Sequence, residues 1–138
     1  MNSIFLDASF WIVYREENEA RWAGAQRIVA ELFSQRTHFV TTLPVICEIH
    51  AAFSRNRRKR EIVLRDLCQN PLVTVEAISH QDQRMALELL QNNQDKTYSL
   101  CNAISFVVMR RLQITRVAAF DRHFRQFGEF EIIPEIFP

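Results

Sequence analysis

Ser3-Ile4-Phe5-Leu6-Asp7-Ala8-Ser9 sets an apolar run of β character directly against a carboxylate and two small residues, and Val117-Ala118-Ala119-Phe120-Asp121 repeats the pattern far along the chain. A short apolar run with a polar stop marks a strand buried on both faces. Working outward, the strand-like runs are 3–6, 38–42, 72–77, 116–119 and 131–133. Segments with helical apolar spacing lie between them at 19–34, 44–55, 57–69, 81–92 and 100–112, with a short one after Asp121. Ser79 and Ser99 stand where an N-cap satisfies free amides, and Pro44 suits a first helical turn. This alternation predicts an α/β protein: a three-layer α/β/α fold around a central parallel sheet of four to five strands. Such sheets carry their functional groups at strand C-terminal ends, which is where Asp7 and Asp121 fall.

A chain of 138 residues that is 48% hydrophobic suits one domain over 1–138, burying roughly two-thirds of its unfolded surface. With 17 Lys plus Arg against 16 Asp plus Glu, the protein as a whole does not attract nucleic acid, so any basic patch must be local. The apolar runs fall short of the ~20 residues that span a bilayer, and MNSIFLDASF lacks the basic start and small-residue cleavage site of a signal peptide. The expectation is a cytoplasmic protein with no membrane partner. Cys47, Cys68 and Cys101 are odd in number, scattered and set in apolar stretches, which predicts reduced core thiols and no disulfide framework. Two Gly, four Pro and the absence of an internal period argue against linkers and repeats.

Taken singly, a strand-end Asp serves equally well as a helix N-cap or as a ligand. Glu48 lies in the apolar segment 44–53, where burying a charge costs several kcal/mol unless it is paired. It reads either as a salt-bridge partner or as a metal-binding or general-base carboxylate. Asn102 is polar in the first turn of an otherwise apolar helix, and Asp95 lies in the loop before it. A buried amide that fixes neighbouring backbone is the structural alternative for Asn102.

Four motifs together, Phe5-Leu6-Asp7-Ala8-Ser9, Thr41-Thr42-Leu43-Pro44-Val45-Ile46-Cys47-Glu48-Ile49, the stretch from Asp95 to Met109, and Ala119-Phe120-Asp121-Arg122-His123-Phe124, resemble a PIN domain, and within that superfamily the toxin nucleases of the VapC type. The resemblance runs nearly end to end. It implies a metal-dependent endoribonuclease whose catalytic set is Asp7, Glu48, Asn102 and Asp121. Asp7, Asn102 and Asp121 would hold the metal, and Glu48 would complete the cage or position the nucleophile. Relatives of this type usually read Ser-Leu-Thr-Asp where this chain reads Ser99-Leu100-Cys101-Asn102, so a carboxylate is replaced at the site itself. Mg²⁺ and Mn²⁺ are the implied cofactors, being hard cations that prefer oxygen ligands and activate water for phosphodiester hydrolysis. An Asn in place of Asp keeps one oxygen but removes a charge, which predicts weaker metal occupancy and slower cleavage. Asp95 is implied as an auxiliary acid, and Ser9 as a hydroxyl that orients Asp7. The implied partners are an RNA substrate, a cognate antitoxin and a second copy in a homodimer. An apolar groove near Trp11, Tyr14 and Trp22 is the candidate docking surface, with ordinary core as the alternative. The rival function is a catalytically weak PIN fold that binds RNA or protein without cutting. An α/β module with a phosphoacceptor Asp is disfavoured, because it leaves Glu48 and the 95–102 stretch without a purpose.

Arg55, Arg57, Arg58, Lys59 and Arg60 follow the helix that carries Glu48 and are the candidate RNA-phosphate contacts, with a solvated helix junction as the alternative. Arg110, Arg111, Arg116, Arg122 and Arg125 could add to that field or pair with the acids. Most of the eleven Phe and both Trp are expected in the core.

Overall fold

The computed structural model describes residues 2–135. β1 (Ser3–Leu6) leads into α1 (Ala8–Tyr14) and α2 (Trp22–Ser34), and β2 (His38–Thr42) into α3 (Leu43–Ala52) and α4 (Arg57–Cys68). β3 (Val73–Glu76) is followed by α5 (His80–Gln91) and α6 (Leu100–Leu112), β4 (Arg116–Ala118) by α7 (Arg122–Phe127), and β5 (Glu131–Ile133) ends the series. The strands form one five-stranded sheet in the order β3-β2-β1-β4-β5, every neighbouring pair parallel. Helices cover the sheet, α1 packing on α2 and α3, and α5 on α6. Ile4, Phe5 and Leu6 at its centre have no exposed surface, as a parallel strand covered on both faces requires.

The strand order fixes where a site can form. The chain steps outward from β1 through β2 and β3, then resumes at β4 on the other side of β1. The crevice of an open α/β sheet lies at such a switch point, outside the strand C-termini. Here that point lies between β1 and β4, whose next polar residues are Asp7 and Asp121.

Several expectations from the sequence need correction. α1 was not among the helices expected from the sequence; the Asp7 side chain accepts the Ser9 N–H and caps a short helix over Ala8–Tyr14. The helix expected from residue 19 starts at Trp22, because Glu19 turns back to accept the Arg21 N–H and guanidinium. The helix expected to reach residue 55 ends at Ala52, and Asn56 caps the next one by accepting the Lys59 N–H. The three cysteines are free thiols but not core filler: Cys47 and Cys68 are exposed and Cys101 is half-buried. In α3 the buried arc is Val45, Ile46 and Ile49, and Cys47 and Glu48 lie off it.

Trp11 is core, yet its indole N–H donates to Asp66 at 3.1 Å, and Arg15 grips the same carboxylate through two bonds of 2.7 Å, tying α1 to α4. Trp22 and Tyr14 are half-buried. Among the described residues no helix is long and apolar enough to cross a membrane.

Candidate active site

Asp7 is 3% exposed and caps α1; Asp121 is half-buried and caps α7. Ser9 joins them. Its hydroxyl donates to Asp7 Oδ2 and accepts the backbone N–H groups of Phe120 at 3.0 Å and Asp121 at 3.1 Å. The Ser9 N–H also donates to Asp7 Oδ2 at 3.1 Å. One hydroxyl therefore pins the turn after β1 to the turn after β4 and sets the spacing of the two carboxylates. Ser9→Ala is expected to cost about 2 kcal/mol in urea unfolding and to slow RNA cleavage roughly tenfold, with Ser9→Thr recovering most of both. Wild-type stability and rate in Ser9→Ala would remove this role.

Asn102, 5% exposed, is held from the other side by a capping box: its N–H donates to Ser99 Oγ at 2.9 Å, and its Oδ1 accepts the Ser99 N–H at 3.0 Å. Its Nδ2 donates to Asp121 Oδ2 at 3.3 Å. The orientation is dictated by the partners, because a flipped amide would set N–H against N–H and oxygen against carboxylate. In this arrangement the Asn102 amide oxygen accepts the helix-cap bond and its amide N–H faces Asp121.

His123, missed in the sequence, completes the surroundings of Asp121. Its backbone N–H donates to Asp121 Oδ1 at 2.8 Å and its ring Nδ1 lies 2.6 Å from the same oxygen. Nε2 lies 2.9 Å from Thr97 Oγ1, and the Tyr98 ring stands edge-on at 5.9 Å. A carboxylate on one ring nitrogen and a hydroxyl on the other fix the imidazole, in the manner of groups that orient ligands. The available signal was spacing: two residues into a helix capped by Asp, a His side chain folds back over its cap.

Glu48 is exposed, not buried as its apolar neighbours suggested. It still acts on the group. Burial pushes the Cys101 thiol up, with the Glu48 and Asp7 charges and a hydrogen bond to Glu48 adding to the shift. Burial likewise raises Asp7 to about 6; the two Ser9 bonds oppose this, and the charges of Asp121 and Glu48 reinforce it. Three acids thus share one field at the switch point. The Asp95 side chain is 74% exposed and pairs with the adjacent Lys96.

Of the basic run, Lys59 is committed elsewhere, its ammonium 3.2 Å from both Glu16 and Glu17. Arg57 pairs with Glu61 one turn on. Arg55 and Arg58 are exposed and Arg60 half-buried, none with a carboxylate within 4 Å among the described residues. Arg110 pairs with Glu129, Arg111 forks onto Glu76 and Asp82, and Arg116 donates to Asn2. A concavity of about 720 Å³ lies at the opposite edge of the sheet, lined by Ser3, His38 and Arg116 at strand N-termini, and is not part of this group.

The donor set fits a hard divalent cation. It is all oxygen, and Thr42, brought level with Asp7 by continuing the Phe5–Val40 register, carries a buried hydroxyl with no protein partner. Among the described residues no three His, Cys, Asp or Glu side chains already form a closed cage. An ion held by one or two carboxylates, with water and substrate phosphate completing its shell, needs none.

Residues 4–129 match the PIN domain family model, and the chain belongs to that family. PIN-domain nucleases hydrolyse RNA and depend in general on a divalent metal. Within the family the chain is of the VapC type. It is 31% identical over 133 residues to the 23S rRNA-specific endonuclease VapC20 of Mycobacterium tuberculosis strain CDC 1551 / Oshkosh, covering 96% of this chain and 99% of that protein, and the protein of strain H37Rv gives the same figures. The crystal structure of M. tuberculosis VapC20, described as a Sarcin-Ricin loop cleaving toxin, superposes with a TM-score of 0.82 at 28% identity, over 98% of this chain and 99% of that one.

Proposed function

We propose that this chain is a Mg²⁺- or Mn²⁺-dependent endoribonuclease, the toxin of a toxin–antitoxin pair, that cuts a structured loop of large-subunit ribosomal RNA in the cytoplasm. The observation that carries the reading is the convergence of Asp7 and Asp121 at the β1/β4 switch point, in a chain similar over nearly its full length to an endonuclease of that target. Asp7 and Asp121 would hold the cation, which when bound supplies the Lewis acidity that activates water and neutralises charge at the phosphodiester. Ser9 keeps the two carboxylates at working distance. His123 fixes the orientation of Asp121. Glu48, solvent-facing beside Asp7, is placed to accept a proton from an attacking water. Asn102 contributes a hydrogen bond to Asp121. Arg55, Arg58 and Arg60 are the cations left to meet RNA phosphates, and Asp95 belongs to the loop. A cognate antitoxin and a homodimer complete the reading by family resemblance. The non-cutting alternative, which rested on Asn102, is not favoured, because the chain is similar over nearly its full length to an endonuclease.

The test is cleavage of 23S ribosomal RNA and of a mixed structured-RNA pool by the wild type and by Asp121→Ala, with Mg²⁺, with Mn²⁺ and with chelator. Metal-dependent cutting concentrated in 23S RNA and lost in the variant is expected. Absence of cutting in either metal, or cutting that survives the substitution, overturns the reading.

A further inference from the structure

A second cavity, about 560 Å³, is lined at one side by Phe120, the residue before Asp121, and takes no part in the chemistry above. Arg21, Gly24, Arg27 and Ile28 of the α2 side and Phe120 and Pro134 of the sheet side line it, with Glu31 at one end. It lies at the strand C-terminal edge: Phe120 follows β4 and immediately precedes Asp121, and Pro134 follows β5. Its volume is that of a site for a small organic ligand.

Three features point to one chemistry. The first is a ladder of planar groups: Phe120 stacks on buried Phe10 with centroids 5.3 Å apart and planes 11° apart, and the Arg21 guanidinium lies 4.5 Å over the Phe120 ring. Aromatic rings and guanidinium planes are the platforms on which unstacked RNA bases settle. The second is Arg27, exposed and without a carboxylate within 4 Å among the described residues, whereas Arg21 is held by Glu19. The third is Gly24. Of the chain's two glycines, Gly128 has φ 77° and ends α7 in the left-handed region, but Gly24 lies inside α2 with no such demand. A Cβ there would meet only the Arg27 guanidinium, at 3.9 Å. Gly24 is the third residue of α2, where glycine is a weaker helix former than alanine, and neither backbone conformation nor packing calls for it, which leaves close approach of a ligand to the backbone.

We propose that this cavity is a nucleotide subsite for the RNA strand flanking the cut bond: the base stacks on the Arg21–Phe120 ladder over Gly24, and Arg27 takes the neighbouring phosphate. Glu31 offers oxygens to the N–H groups of a base edge and discourages a second phosphate at its end of the cavity. The assignment rests on the ribonuclease reading, and places the flanking nucleotide next to Asp121 by the adjacency of Phe120.

Gly24→Leu fills the cavity while raising helix propensity, and Arg27→Gln removes the cation from the surface, so folding is checked in both by thermal unfolding. A short single-stranded RNA carrying one 2-aminopurine, titrated in chelator, should be quenched by the wild type, with Kd raised roughly tenfold in each variant, the loss of one stacked base or one phosphate contact. With metal present, KM for a cleaved RNA should rise by a similar factor at unchanged kcat. No quenching by the wild type, or wild-type affinity in both variants, overturns the subsite and leaves the cavity to a peptide side chain. Variant-sensitive quenching by a protein that cuts no RNA would instead keep the subsite and reject the nuclease reading, so the two failures are distinct.

Discussion

Asn102→Asp is expected to tighten divalent-metal binding by roughly tenfold or more and to lower the melting temperature of the metal-free protein by a few degrees. The capping box should survive. α5 carries the same box with Asp at the third position, where Asp82 accepts the Ser79 N–H at 3.0 Å and its own N–H donates to Ser79 Oγ at 3.0 Å. What differs is the outer partner. The Asp82 carboxylate meets the Arg111 guanidinium, whereas the outer atom of Asn102 meets the carboxylate of Asp121. In Asn102→Asp, two carboxylate oxygens would face each other across about 3 Å, and like charges at that distance do not both ionise without a cation or a shared proton. Asn102 supplies a donor instead and satisfies Asp121 without a metal. The substitution transfers that task to the cation, so affinity rises as metal-free stability falls. Mn²⁺ titration of both proteins, with melting curves in chelator and in saturating metal, checks both halves. Equal affinity and equal melting in chelator would refute the account.

The fold was largely legible because its signals are local. Five apolar runs, the Ser79 and Ser99 caps and the helix over Leu100–Leu112 fall where periodicity and capping place them. Element boundaries were misread where a side chain acted on its own backbone, as Glu19 does ahead of α2, and α1 went unanticipated because so short a helix is set by the Asp7 cap and has little periodicity to read. The candidate site was legible only in part. Asp7, Asp121, Ser9 and Asn102 come together because β1 and β4 are neighbours. The exposure of Glu48, the Glu16 and Glu17 partners of Lys59 and the surface position of Asp95 depend on which arc of each segment meets the rest of the molecule, and residue spacing alone does not carry that. The role of Asn102 turned on the direction of one amide, which partners 3 and 19 residues away decide together. His123 was missed although it stands two residues after Asp121; its other partner, Thr97, is brought to it only by tertiary packing.

Asp7→Asn is expected to abolish cleavage, by two or more orders of magnitude, and at the same time to stabilise the metal-free protein at neutral pH. Both Ser9 hydrogen bonds fall on Oδ2, so the single oxygen of Asn can keep them and the α1 cap stays intact. The gain comes from removing a charge the fold tolerates poorly. Asp7 titrates at about 6 in the folded protein against an ordinary 3.8, chiefly because it is buried. Below pH 3.8 both states carry the proton and the residue costs nothing. Between 3.8 and about 6 the unfolded chain releases the proton while the folded one keeps it, so stability falls as pH rises. Above about 6 the whole cost is present, on the order of 3 kcal/mol. The melting temperature of Asp7→Asn minus that of the wild type, in chelator, should therefore be near zero at pH 4, grow through pH 6 and level off at roughly 5 °C or more. Saturating divalent metal should shrink the difference by stabilising only the wild type. A flat difference across that range would mean that Asp7 is not strained by its charge. The comparison reads catalysis and stability on one side chain: the buried carboxylate that weakens the empty fold is the one that gives a cation a reason to bind.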